Sequence, residues 1–489
     1  MVMVGCGPGD EQVKEIIPAN ATPGDVGDRK LGSPCERSTQ CLGTMLCDGS
    51  SSQGYCRPAR CGERCEAEGG VCASMGGHPA QCWASCEATE RFDGLACVEA
   101  VEGMVAVPQG TNAAPVSYQE LVDLFDAVCE SEVGGGSQFG PTRRFSFELS
   151  AQDRAFMLVN TVGTHTDFFP VSLTLPDEQV LDLVSDYRHH NARIGDMSEE
   201  QRLVGQGIYG EVSVDWSILY PYSPQREEVV QAGTYHFEVA ADDPDICLFV
   251  HKKSEAGKRI DLNIYFTDER NFNAVEGSAD EDLKEVLARV DEIYEVAGIE
   301  LGKVRYFDVP QPEAEMFRVI RDIGDIAKLT SMGRAPGPTR DDVLSVDLFL
   351  VDALSAEGGI LLGVSGGIPG APGMHGNPDN GLVFSVASLG VDNKLVAHIM
   401  AHEIGHYVGL RHTTELIVGT SQEMVFDQFV GSKDPLEDTP ECANVMRDLR
   451  SCPDVDNLMF PAAPASGRTS VAELSGDQAA VLKNSPLIK

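Results

Sequence analysis

Positive charge is scarce in this chain beside negative charge. Its 489 residues carry 37 Lys and Arg against 76 Asp and Glu, a formal net charge of −39. Such a surface repels polyanions, which argues against nucleic acid and anionic membranes as partners and suits calcium. Long apolar runs are missing too. No stretch of 18 apolar residues occurs, so no membrane-spanning helix is expected. There is also no C-x2-C pair, which disfavours a zinc ribbon. The hydrophobic share is nonetheless 42%, that of a globular protein, and the length suits about three domains.

Against this background, residues 402–412 read His-Glu-Ile-Gly-His-Tyr-Val-Gly-Leu-Arg-His, the pattern HExxHxxGxxH. On a helix, His402 and His406 share one face and can reach one zinc ion. Gly409 allows the chain to leave the helix and bring back His412 as a third ligand. Three protein ligands leave a position for water, the arrangement of a catalytic rather than a closed site. Glu403 is better placed to hold that water than to bind metal, and is the candidate general base. Leu395, Val396, Ile399 and Met400 form an apolar stripe leading into the motif, and no proline interrupts residues 391–409. His398, a full turn before His402, reads as a packing or supporting residue rather than a fourth ligand.

The motif and its sequel resemble the metzincin metallopeptidases, and within them the pappalysin (ulilysin-like) family, over residues 258–489. Two further pieces carry the resemblance. Asp434-Pro435-Leu436-Glu437-Asp438-Thr439-Pro440 is similar to the family's D-x-x-x-DTP segment, and Asp456-Asn457-Leu458-Met459 to its Met-turn. The resemblance implies an α/β/α catalytic domain that hydrolyses peptide bonds by zinc-activated water, with Met459 as an apolar floor under the metal. It also implies structural calcium at Asp434, Asp438 and Thr439, and a substrate-pairing sheet edge in the strand before the zinc helix, Leu382–Val386. Two departures stand out. Phe460-Pro461 occupies the place where the family carries a tyrosine two residues after the methionine, and Thr413-Thr414-Glu415 replaces the usual aromatic after the third ligand. The rival reading is a surface binding protein that uses a metzincin-like domain as scaffold, which the intact Glu403 and histidines disfavour.

The cysteines speak for an extracellular or cell-surface location. There are 15, and ten lie between Cys35 and Cys97, which reads as a disulfide-stapled module. Cys442 and Cys452 are expected to pair. Cys129 and Cys247 are left to bridge each other, or one of them to block the zinc as in a zymogen. Cys6, in Val4-Gly5-Cys6-Gly7, looks like the end of a bacterial lipoprotein signal and is the candidate lipid anchor.

The expected fold class is therefore a multidomain chain: an α+β metzincin-type catalytic domain preceded by a β-sandwich-like domain and a small disulfide-rich module. The expected layout is a signal remnant and tether at 1–31, the Cys-rich module at 32–100, a β-rich accessory or pro-domain at 101–257 and the catalytic domain at 258–489. In the third segment, Phe145-x-Phe147-x-Leu149, Val171-x-Leu173-x-Leu175, Val212-x-Val214-x-Trp216 and Tyr235-x-Phe237-x-Val239 alternate as half-buried strands do. Helices are predicted at 117–130 and 176–190, with His189 and His190 on the surface. In the fourth, strands are predicted at 260–266, 303–309 and 346–351, a helix from Leu283 to Tyr294 ending near Gly298, a pattern-free loop from Gly366 to Gly381, and a last helix capped by Ser475.

Overall fold

The computed structural model describes residues 118–133, 141–161, 168–183, 215–222, 230–241, 246–268, 272–309, 313–321, 323–356, 359–377, 380–414, 434–440, 442, 452–462 and 472–489, together with the backbone of short strands at 2–5, 205–206 and within 34–108. Cys6, the side chains of the ten clustered cysteines, Val212, Val214, His189 and His190 lie outside the described residues. The chain is a mixed α/β, multidomain protein with several sheets and two described disulfides. Among the described residues, no helix is long and apolar enough to cross a membrane.

The C-terminal unit is built on a mostly parallel sheet. Its strands are β1 (Arg259–Phe266), β2 (Glu300–Asp308), β3 (Val346–Val351), β4 (Gly359–Ser365) and β5 (Leu382–Ser385). They lie in the order β2-β1-β3-β5-β4, with Ala353–Ala356 and Val319–Ile320 beyond β4. Strand β4 runs antiparallel to β5, whereas β1, β2, β3 and β5 pair in parallel. Helix α1 (Glu281–Glu295) and helix α2 (Asn393–Val408) belong to the core on one face. Ile326 and Leu329, from the short helix Ile323–Thr330, pack on the other.

Covering both faces explains the strand sequences. In β3, Leu348 and Leu350 enter the core shared with α1 and α2, while Phe349 and Val351 enter the opposite one. A parallel sheet buried on both sides carries continuous apolar runs rather than alternation. The same logic corrects one expectation. Leu382–Ser385 is not the sheet edge: it sits between β3 and β4, and all four of its residues are buried. The outer side of β4 is lined instead by Ala353–Ala356 at its start and by the backbone of Val2–Gly5, antiparallel, further along.

Residues 118–253 form two antiparallel sheets. One orders Val180–Asp182, Phe168–Thr174, Gly233–Ala241, Thr142–Leu149 and Glu132–Val133. The other orders Gly205–Gln206, Asp215–Tyr220, Ala155–Thr161 and Cys247–Lys253. Phe145, Phe147, Leu173, Tyr235, Phe237 and Val239 meet Phe156, Leu158, Ile218 and Tyr220 in a shared core, with Phe147 stacked on Tyr235. The first predicted helix is present but shorter, Tyr118–Leu124. The second is overturned. Residues 176–178 turn and Val180–Asp182 pairs as a strand with Phe168–Thr174, because Leu181 and Leu183 point into the sandwich core at strand spacing; residues 184–190 lie outside the described residues.

Candidate metal centre

Helix α2 begins at Asp392, whose carboxylate accepts the Leu395 N–H at 3.1 Å. It ends at Gly409, which takes φ +133°, a conformation that side chains disfavour. There the Gly409 N–H reaches the carbonyls of Gly405 (3.0 Å) and His406 (2.9 Å), and the Leu410 N–H also reaches Gly405 O, at 2.8 Å. The chain then doubles back and carries His412 to the helix face.

The three imidazoles converge. His406 Nε2 lies 3.1 Å from His412 Nε2, which lies 3.3 Å from His402 Nε2. A tetrahedral ion bound at the usual metal–nitrogen length separates its ligands by about 3.3 Å. The outer nitrogens are committed elsewhere: His402 Nδ1 donates to Leu458 O at 2.6 Å and His406 Nδ1 to Leu410 O at 2.7 Å. Those carbonyls hold the proton on Nδ1 and leave the Nε2 lone pairs facing one another. Burial, and then the neighbouring histidines, push the pKa of His402 and of His406 well below the ordinary value, so both rings stay neutral. Three imidazole donors aimed at one point fit a metal ion, and among the described residues this is the one group of three or more His, Cys, Asp or Glu side chains with ligand atoms all within 4.8 Å of one another.

Glu403 is fully buried, and among the described residues neither carboxylate oxygen has a hydrogen-bond partner. Burial raises its pKa well above the ordinary carboxylate range. His398 is also pushed, by burial, down to about 4, but stands outside the triad.

The Met-turn lies under the helix. A Cβ on Gly405 would come within 2.8 Å of Met459 Sδ, so the glycine admits the methionine. Asn457 shapes the turn by accepting the Met459 N–H at 2.8 Å. Gln478 of helix α3 (Gly476–Asn484) braces Asn457 through two amide hydrogen bonds, at 2.9 and 3.1 Å, while Ser475 caps that helix as expected. Phe460 packs with Cys442 and Cys452, which are bonded to each other, so its ring serves that cluster.

The loop after the triad is held by a carboxylate that the sequence did not single out. Asp454 accepts from Thr413 and Thr414, each at 2.6 Å, so the two threonines that depart from the family pattern anchor the chain leaving His412. No local signal marks Asp454, since the partners are 41 and 40 residues apart. Asp434 donates its N–H to His412 O at 2.7 Å, and Thr439 Oγ1 donates to Asp434 Oδ1 at 2.6 Å. Burial lifts the Asp434 carboxyl to about 7. Asp438 instead accepts the Asp477 N–H, at 3.0 Å, at the start of α3.

Cys129 and Cys247 are bonded, which removes either as a free blocking thiol.

No protein-family model and no curated protein matches the chain. Two solved structures are similar only distantly. One, described as a chaperone–substrate complex, is 17% identical over 35% of this chain and 26% of its own, with a TM-score of 0.20; the chain spans about a quarter of that structure's length. The other, metalloproteinase-II from Bacteroides fragilis, is 10% identical over 58% of this chain and 77% of its own, with a TM-score of 0.18. Overlap this small carries no argument, and the description of the centre rests on its own geometry.

Proposed function

We propose that this chain is a zinc-dependent endopeptidase of the metzincin type, similar to pappalysins. The observation that carries the reading is the convergence of the His402, His406 and His412 Nε2 atoms next to a buried carboxylate, Glu403, whose oxygens have no hydrogen-bond partner among the described residues. Zinc held by that triad supplies a Lewis acid and a water acidic near neutrality. Glu403 takes the proton of the attacking water and delivers it to the leaving nitrogen. Pro461, two residues after Met459, offers no hydroxyl, so no side chain at that position assists the oxyanion.

Strand β4 supports a peptide substrate. Its outer side, beside Glu403, already accommodates an extended antiparallel segment, Val2–Gly5. Main-chain hydrogen bonds from such an edge hold a peptide with little demand on its side chains. The two described disulfides support work outside the reducing cytosol. Structural calcium at Asp434, Asp438 and Thr439 is part of the same proposal. Its support is the crowding of carboxylates: Asp477, raised to about 6 by burial and then by Asp438, faces that residue. A calcium chelator that spares zinc should then lower the melting temperature, and an unchanged value would remove calcium from the scheme.

The deciding experiment incubates zinc-loaded wild type and Glu403→Gln with a mixture of denatured proteins and maps cleavage by mass spectrometry. Cuts are expected from wild type alone, with equal zinc in both proteins. Cleavage by Glu403→Gln would overturn the role of Glu403. Silence from zinc-loaded wild type would favour a binding scaffold.

A further inference from the structure

In the four-stranded sheet of the sandwich, described residues of Ala155–Thr161, Asp215–Tyr220 and Cys247–Lys253 are buried on both faces. Along Ala155–Thr161, Phe156 and Leu158 enter the sandwich core, while Met157 and Val159 enter the same core as Ile404, Val408 and Leu410 of the metal-binding segment. Ser217 donates to Pro369 O at 2.8 Å across this junction, buried.

Tyr222 reaches the turn that follows the metal-binding helix. Its ring is wholly buried, with the Arg411 guanidinium 5.4 Å from the ring centroid. Its hydroxyl donates to Gly409 O at 2.8 Å. The next carbonyl along, that of Leu410, is the acceptor for His406 Nδ1, and His412 follows in the same turn. Tyr222 thus holds one carbonyl of the turn, and a metal ligand holds the next. A partner that fixes a ligating imidazole governs metal affinity.

We propose that Tyr222 is a positioning residue for the metal centre, acting on His406 and His412 through its hold on the Gly409 carbonyl in the turn between them, and that the sandwich is therefore a working part of the enzyme rather than a removable cover. The proposal rests on the reading of the triad as a zinc site. A zymogen cover must leave without disturbing the metal; this one holds the turn that brings in the third ligand.

The test compares full-length wild type, Tyr222→Phe and Ser217→Ala. Zinc affinity is measured by competition with a chromophoric chelator, and the visible spectrum is recorded after cobalt substitution. Tyr222→Phe keeps the ring and loses only the hydroxyl. It is expected to bind zinc 10- to 100-fold more weakly and to shift the cobalt spectrum. Ser217→Ala loses its buried hydrogen bond to Pro369 O across the same junction, and its affinity and spectrum should match wild type. Equal affinity in Tyr222→Phe and wild type overturns the proposal, as does an equal loss in both variants, which would make the effect one of general loosening. A wild type that binds no zinc sinks the functional reading itself, a different result from either. Should Tyr222→Phe not fold, amide exchange in the wild-type chain decides. In a turn held at Gly409 O by the hydroxyl, the Gly409 and Leu410 N–H groups exchange as slowly as the amides of α2, and rapid exchange overturns the proposal.

Discussion

Gly363 in β4 faces Glu403: a Cβ there would stand 2.6 Å from Glu403 Cγ and 3.1 Å from its Oε1. The strand beside the metal centre is thus bare of a side chain where the candidate base must sit. Gly363→Ala should push the carboxylate aside while leaving the three histidines in place. Turnover is expected to fall about 10- to 100-fold, since displacement of a reacting group by about 1 Å costs that much. Zinc content, measured by atomic absorption, should not change. Loss of zinc in Gly363→Ala would show that the strand supports the triad rather than the base.

His375 should make stability depend on pH. Its Nδ1 is 2.8 Å from Asp347 Oδ2 and its Nε2 is 2.7 Å from Val343 O, so both ring nitrogens face acceptors and the protonated ring satisfies both. Burial opposes the charge, but the Asp347 carboxylate and the Val343 carbonyl more than offset it, against a small opposing effect of Arg305, and the pKa is raised. A group whose folded pKa lies above its unfolded value contributes stability that is complete below about pH 6.5 and is lost as pH rises through the folded value. The difference in unfolding free energy between wild type and His375→Gln should therefore shrink as pH climbs above 6.5. A difference that grows with pH would contradict the paired, protonated ring.

The Cys129–Cys247 bond spans 118 residues of sequence and sits beside the bridge that Val128 forms with Leu248. Closing a loop of that length removes about 4 to 5 kcal/mol of unfolded-state entropy in the chain-entropy model. Replacing both cysteines with alanine should lower the denaturation midpoint accordingly, by about 2 to 4 kcal/mol once relaxation is allowed for. Thiol titration of the unfolded, unreduced wild type should find neither cysteine free. A free thiol there would revive the blocking-cysteine alternative.

The part of this molecule that local pattern could encode was legible. Residues 402–412 bring together three histidines and place a glutamate beside them by helical period and one glycine. The strand at 260–266, the helix through Leu283–Tyr294 and the Ser475 cap follow from spacings within a few residues. Asn457 and Met459 were readable as a turn through resemblance.

What the sequence could not contain is which surfaces meet. Leu382–Ser385 has the apolar run of a strand, but whether it lies inside the sheet or at its rim depends on where Gly359–Ser365 docks. Val180–Asp182 looked helical, and pairing with Phe168–Thr174 overrode that local preference. Asp454, Gln478, Gly363 and Tyr222 carry no mark in their own neighbourhoods. Tyr222 lies 187 residues from the carbonyl it bonds. The sequence by itself determined the three imidazoles, because His402 and His406 are one helical turn apart and Gly409 lets the chain bring His412 back beside them. Only the tertiary structure decided what holds those donors still, because buried hydrogen bonds and close packing between distant segments exist only once the chain has brought them together.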